Sequence, residues 1–244
     1  MLHRNFIRAG VAAMAILFTT AFNNNVLAAP IFADGDFITY TQEQWDTSAS
    51  AFFLANYATV YAPSFAVEVG IPGPGVNQFS IRFTNSSAVL TYLPSIGPDP
   101  LIADATDPNE SEVAGSFGSD VLSLQLDVDF SDAGVMLGAL GIPFGDLVLT
   151  NFSTLPLLNG STVRQYLSLA NTVLGGGTGI YTRDLLAATT DSLTNAFVGG
   201  VASQFAEDHL RYTQTPTPVP EPATAGLVLL GLLALGRVRR HSRV

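Results

Sequence analysis

Val121-Leu122-Ser123-Leu124-Gln125-Leu126-Asp127-Val128-Asp129-Phe130 is the stretch on which the fold turns. Its apolar residues alternate with Ser123, Gln125, Asp127 and Asp129, a strict period of two. That is the period of a pleated strand with one buried and one wet face. Phe79, Ile81 and Phe83 alternate with Ser80, Arg82 and Thr84 in the same way. Residues 65–69, 88–93 and 147–152 are further strand candidates, and Gly/Pro clusters at 71–75 and 97–100 punctuate them. The chain to about residue 158 therefore reads as β-rich.

Helical signals flank this core. Thr41-Gln42-Glu43-Gln44 has the form of a capping box, and Trp45, Phe52, Phe53 and Tyr57 follow it, which predicts a helix over 42–57. Beyond residue 160 the period lengthens. Val163, Leu167, Ala170 and Leu174 sit at helical spacing, with Gly175-Gly176-Gly177 as the stop. Leu186, Leu193 and Phe197 mark a second helix ended by Gly199-Gly200, and residues 201–210 suit a third. The expected fold over 29–212 is α+β. An antiparallel sheet or sandwich carries a C-terminal helical segment over 161–211 on one face or end. Residues 213–218 form a stiff Thr/Pro linker.

The 244-residue chain has no cysteine and a formal charge of −10. Disulfides, thiolate metal sites and cysteine nucleophiles are excluded. Lysine is absent as well, which removes Schiff-base chemistry and a phosphate-loop lysine. Between residues 29 and 215 the only basic side chains besides His209 are Arg82, Arg164, Arg183 and Arg211. So acidic a body disfavours nucleic acid and anionic membrane surfaces as partners.

Both ends are directed to membranes. Arg4 and Arg8 precede an apolar core at 9–22, and Val26-Leu27-Ala28 fits a signal-peptidase site, with cleavage between Ala28 and Ala29. Residues 1–28 thus read as a signal peptide recognised by the secretion machinery. At the other end Pro220-Glu221-Pro222 precedes an apolar run at 223–236, and Arg237, Arg239 and Arg240 follow it. The arginines should stay cytoplasmic, leaving the body outside. At about 1.5 Å per residue the run is short for a hydrocarbon core of roughly 30 Å. It suits a transmembrane helix that anchors only for a time.

This three-part pattern over 219–243 resembles the PEP-CTERM sorting signal of Gram-negative bacteria. The matching residues are Pro220, Glu221, Pro222, the Gly/Leu-rich run, and Arg237, Arg239 and Arg240. The resemblance implies an exosortase-type sorting enzyme as a partner, tethering to the inner membrane during sorting, and a final place at the cell surface or in an extracellular matrix. It also implies a host that makes exopolysaccharide, which makes extracellular polysaccharide a candidate partner of the body. Residues 35–40, 126–134 and 162–167 resemble segments of uncharacterised exported proteins with the same tail, and that likeness carries over no site residue.

Catalytic signatures are scarce. His209 is the only histidine between the two end segments, and no Gly-x-Ser-x-Gly elbow exists to serve a triad. Near the end of the last expected helix, His209 suits the helix dipole. Gly175 to Gly179 follows a helix rather than a strand, so it is a helix stop and no phosphate loop. Asp127, Asp129 and Asp132 form the tightest carboxylate group. On a strand, Asp127 and Asp129 would share a face and calcium is the cation such a set would take, although Gly138 stands where an EF-hand needs its bidentate glutamate. A solvated strand face ending in a turn is the plainer reading. The acidic stretch 104–112 is a solvated loop or a second oxygen-rich cation site. Tyr40, Trp45, Tyr57 and Tyr61 are core packing or an exposed sugar platform. The sequence thus points to an exported, surface-sorted protein. The expectation is a non-catalytic structural or interaction component of an exopolysaccharide or biofilm matrix, needing no cofactor. A carboxylate-dependent glycan hydrolase or lyase and a calcium-stabilised adhesin are the alternatives.

Overall fold

The computed structural model describes residues 31–73, 75, 78–97 and 100–212. The signal peptide with its Ala28/Ala29 cleavage site, the linker, and the sorting segment with Pro220, Glu221, Pro222, Arg237, Arg239 and Arg240 lie outside the described residues.

The capping box forms. Thr41 accepts from the Gln44 N–H, and the Gln44 side chain reaches back to the Thr41 N–H. The helix it starts comes in two pieces, α1 (Gln42–Asp46) and α2 (Ser50–Tyr61). Thr47 leaves helical geometry between them. Two short strands, β1 (Val67–Gly70) and β2 (Ser80–Phe83), pair antiparallel with Val67 opposite Phe83. β3 (Ala105–Thr106) joins β2 in parallel.

Two expected strands are helices. Residues 88–92 fall in α3 (Ser86–Tyr92), capped by the Asn85 side chain on the Ala88 N–H, and Leu93 ends it. The decisive stretch 121–130 lies inside α4 (Gly115–Asp132), the longest element described. The reason is burial around most of its circumference. Leu122, Leu124, Leu126, Val128 and Phe130 are all buried, and so are Ser119, Ser123, Asp127 and Ser131. A helix open beyond Val121 only along the narrow strip of Gln125, Asp129 and Asp132 carries a weak 3.6-residue polarity pattern, so the alternation has no structural meaning here. The polar residues form their own row at four-residue spacing along α4, as neighbours on one helix face do. Gly118 lets the helix approach α3, since a Cβ there would collide with the Tyr92 hydroxyl.

Around α4 pack α1, α5 (Val163–Leu174), α6 (Arg183–Thr194), β1 and a 3-10 turn at Phe144–Asp146. α5 starts at a second capping box, Thr162 with Gln165, and ends at Gly175. Of the expected strand 147–152 only β4 (Val148–Leu149) forms, paired with β5 (Leu210–Arg211) after α7 (Gln204–His209). The fold is mixed α+β with small sheets of three and two strands. The expected sandwich is absent among the described residues, and a helix stands where its central strand was expected. None of the described helices is long and apolar enough to cross a membrane.

The first and last described segments hold one another. Gly35 N–H donates to Gly200 O at 2.7 Å, and Phe197 N–H donates to Thr39 Oγ1 at 2.9 Å. Glu207 accepts from the N–H groups of Ile31 and Phe32. Phe32, Phe37, Phe197 and Tyr212 stack between these segments.

Candidate functional site

The three carboxylates expected to share a face are separated by the helix. At about 100° per residue, Asp129 points about 200° away from Asp127. Asp127 turns inward, where Oδ1 accepts the Tyr40 N–H at 2.9 Å. Burial pushes its carboxyl well above the ordinary range, against the pull of Tyr40 and the Trp45 indole. Asp127 Oδ2, Trp45 Nε1 and Ser123 Oγ are sealed from solvent and make no hydrogen bond of good geometry. The indole therefore acts on Asp127 as a nearby dipole rather than as a formed bond.

Asp129 faces a cleft. Tyr61 donates its hydroxyl to Oδ2 at 3.0 Å, and Gln125 Nε2 donates to Oδ1 at 2.8 Å. Burial pushes the Asp129 carboxyl up to about 6 despite these bonds, with Asp132 adding to the rise and Arg164 opposing it. Asp132 is held instead by a two-pronged pair with Arg164, whose Nη2 also reaches Asp146 at 3.0 Å. Among the described residues no group of three His, Cys, Asp or Glu side chains is placed to hold a metal ion. Asp127, Asp129 and Asp132 serve three different partners.

The cleft has a volume of about 430 Å³. Glu68 enters it from β1, Gln125 and Asp129 from α4, and Arg164, Ser168 and Asn171 from α5. Asn171 ties the walls together. Its Oδ1 accepts the Gly70 N–H at 2.7 Å, and its Nδ2 points to Gln125 Oε1 at 3.4 Å. Ser80 Oγ donates to Glu68 Oε1 at 2.6 Å and fixes that side chain. One polar network thus runs from β1 through α5 and α4 to Tyr61 of α2. Of these residues the sequence marks only Asp129, in its carboxylate group, and Tyr61, in its aromatic cluster. Glu68, Gln125, Arg164 and Asn171 carry no local motif, because the cleft assembles segments that span 101 residues from Gly70 to Asn171.

His209 lies in a second cleft of about 330 Å³, with Ser153, Thr154 and Asp184. Its Nδ1 meets the Thr150 carbonyl at 3.0 Å, and its ring lies against Phe152 and Phe205. No hydrogen bond joins it to Ser153 or Asp184 among the described residues, so no triad is assembled. The acidic loop is braced rather than free. Asp104 accepts the Ser80 N–H, Asp107 accepts from Thr84 at both its N–H and hydroxyl, and Glu112 accepts the Asn109 N–H. Trp45 and Tyr61 are buried against Phe130, and Tyr57 against Phe53 and Tyr61, which makes them core and leaves no sugar platform there.

Function is addressed most directly outside the folded core. A family described as the PEP-CTERM protein-sorting motif matches residues 218–243. The chain carries a PEP-CTERM sorting motif. This is the C-terminal recognition signal for an exosortase, so the protein is exported and sorted to the surface by an exosortase-type enzyme. The PEP-CTERM match covers the tail alone, and the body enters no family through it. No curated protein and no solved structure matches the chain.

Proposed function

We propose that this PEP-CTERM protein is a non-catalytic surface component whose body makes structural or interaction contacts in an exopolysaccharide or biofilm matrix. Its signal peptide delivers it to the secretion machinery, the tail tethers it to the inner membrane, and processing passes it to the surface. The sorting motif at 218–243 carries this reading. Side-chain chemistry supports it. Asp127 is sealed in the core, Asp132 is paired with Arg164, and His209 is tied to a backbone carbonyl.

One observation favours a second reading, a carboxylate-dependent glycan hydrolase or lyase. Asp129 sits in a cleft with Glu68 and is pushed up to about 6, the range a general acid needs. The test is to incubate the mature protein, recovered from the surface of its host, with the host's exopolysaccharide near pH 6. We expect no new reducing ends and no unsaturated products. Product formation that disappears in Asp129→Asn would replace the first reading with the second.

A further inference from the structure

We infer that the cleft between β1, α4 and α5 is a binding site for an uncharged sugar, seated by hydrogen bonds to Glu68, Gln125, Asp129 and Ser168. The inference deepens the reading above and rests on it for the setting, an exported body among extracellular polymers.

Size is the first support. A volume of about 430 Å³ falls in the range of roughly 300–1,000 Å³ of small-molecule sites. Preorganisation is the second. Ser80 fixes Glu68, Asn171 is anchored on the Gly70 N–H, and Tyr61 with Gln125 fixes Asp129. Ordering these side chains costs nothing further when a ligand arrives. They still have acceptor capacity to offer. Glu68 Oε2 takes no hydrogen bond among the described residues, and each Asp129 oxygen takes one where it can take two. Ser168 stands exposed on the α5 wall. Acceptors beside an amide and a hydroxyl form the set that neighbouring hydroxyl groups of a sugar ring satisfy.

Charge is the third support. The one cation among the described residues that line the cleft, Arg164, is already engaged by Asp132 and Asp146. Glu68 and Asp129 therefore face the ligand without a free positive partner, which repels uronates, sulfates and phosphates. Ile71, Pro72, Val128 and Leu167 supply an apolar part of the lining, against which the C–H face of a sugar ring can rest.

The experiment is isothermal titration of the mature protein from its host with neutral trisaccharides of glucose, mannose and N-acetylglucosamine. Trigalacturonate serves as the charged probe. We expect at least one neutral trisaccharide to bind with a Kd below about 1 mM. Ser168→Trp, which fills the cleft from an exposed helix position, should weaken binding at least tenfold with Tm unchanged. Glu68→Gln keeps the shape and should also weaken it, and it decides the matter if the tryptophan variant misfolds. Ser153→Ala, in the other cleft, should bind as the unaltered protein does. The inference is overturned if no neutral trisaccharide binds, if the charged probe binds more tightly, or if a folded cleft variant binds normally. Release of reducing ends from a bound sugar would sink the non-catalytic reading and leave the site standing. Failure to bind would sink the site and leave surface sorting untouched.

Discussion

Raising the pH from 4 to 8 should weaken this fold, in contrast to the acid lability of proteins stabilised by paired carboxylates. Burial pushes Asp129 from 3.8 up to about 6 and Asp120 from 3.8 up to about 7, with Asp191 and Glu43 adding to the rise at Asp120. Asp127 moves in the same direction. All three lie on α4. A raised folded-state value means that the folded protein holds more protons than the unfolded chain. The stability they contribute is complete below about pH 4 and is lost as pH rises through about 6 and 7. For Asp129 the shift of about two units corresponds to ~3 kcal/mol at about 1.4 kcal/mol per unit. Residual solvent at this half-buried site, and the part already lost at pH 4, reduce that to about 2 kcal/mol between pH 4 and pH 8. With a urea slope of about 2 kcal/mol per molar, the midpoint should fall by about 1 M from Asp129 alone. Asp129→Asn preserves shape, and Tyr61 still finds a carbonyl oxygen to donate to. Urea titrations at unit pH steps should therefore show the variant with a slope shallower by that amount. A midpoint that stays level or rises from pH 4 to 8, or an Asn variant with an unchanged slope, would refute the reasoning.

Three further outcomes follow from the packing. Phe130→Ala removes the ring against which Trp45, Phe52 and Phe53 pack, and should cost about 3–5 kcal/mol, seen as a Tm lower by roughly 10 °C. Glu207→Gln weakens the hold on the Ile31 and Phe32 N–H groups, and should cost about 1 kcal/mol and speed amide exchange over residues 31–40 ahead of the rest. Millimolar calcium and excess chelator should both leave the Tm where it is, since Asp127, Asp129 and Asp132 face three different partners; a calcium-dependent rise would restore the adhesin reading.

The sequence was legible where an element is half exposed. α5 buries Val163, Tyr166, Leu167, Ala170 and Leu174 and leaves Arg164, Gln165 and Ser168 in water, so its period survives in the sequence. The capping box at Thr41 is equally local. The break at Thr47 is not, because it depends on the Ala49 N–H folding back to Gln44 O. α4 failed for the opposite reason to α5. Buried over most of its surface, with only Gln125, Asp129 and Asp132 partly open beyond Val121, it wrote a weak polarity pattern, and five apolar residues at alternate positions imitated a strand. One feature argued against a strand. The stretch is long and leucine-rich, with Val121 and Val128 its only β-branched members.

The sorting tail and the cleft differ in legibility because they are read by different things. The sorting motif at 218–243 is legible from Pro220-Glu221-Pro222, the apolar run and the arginines in their order and spacing. A ligand in the cleft would read a surface that exists only after folding. Asn171 makes the point. In the sequence it is a polar residue in the middle of an amphipathic helix. In the fold it bonds the Gly70 N–H across 101 residues and links β1 to Gln125 and thence to Asp129. Its importance lies in a register between α5 and β1 that no local pattern encodes. The same holds for Asp129, whose raised pKa comes from burial on α4, a helix that the alternation in the sequence presented as a strand.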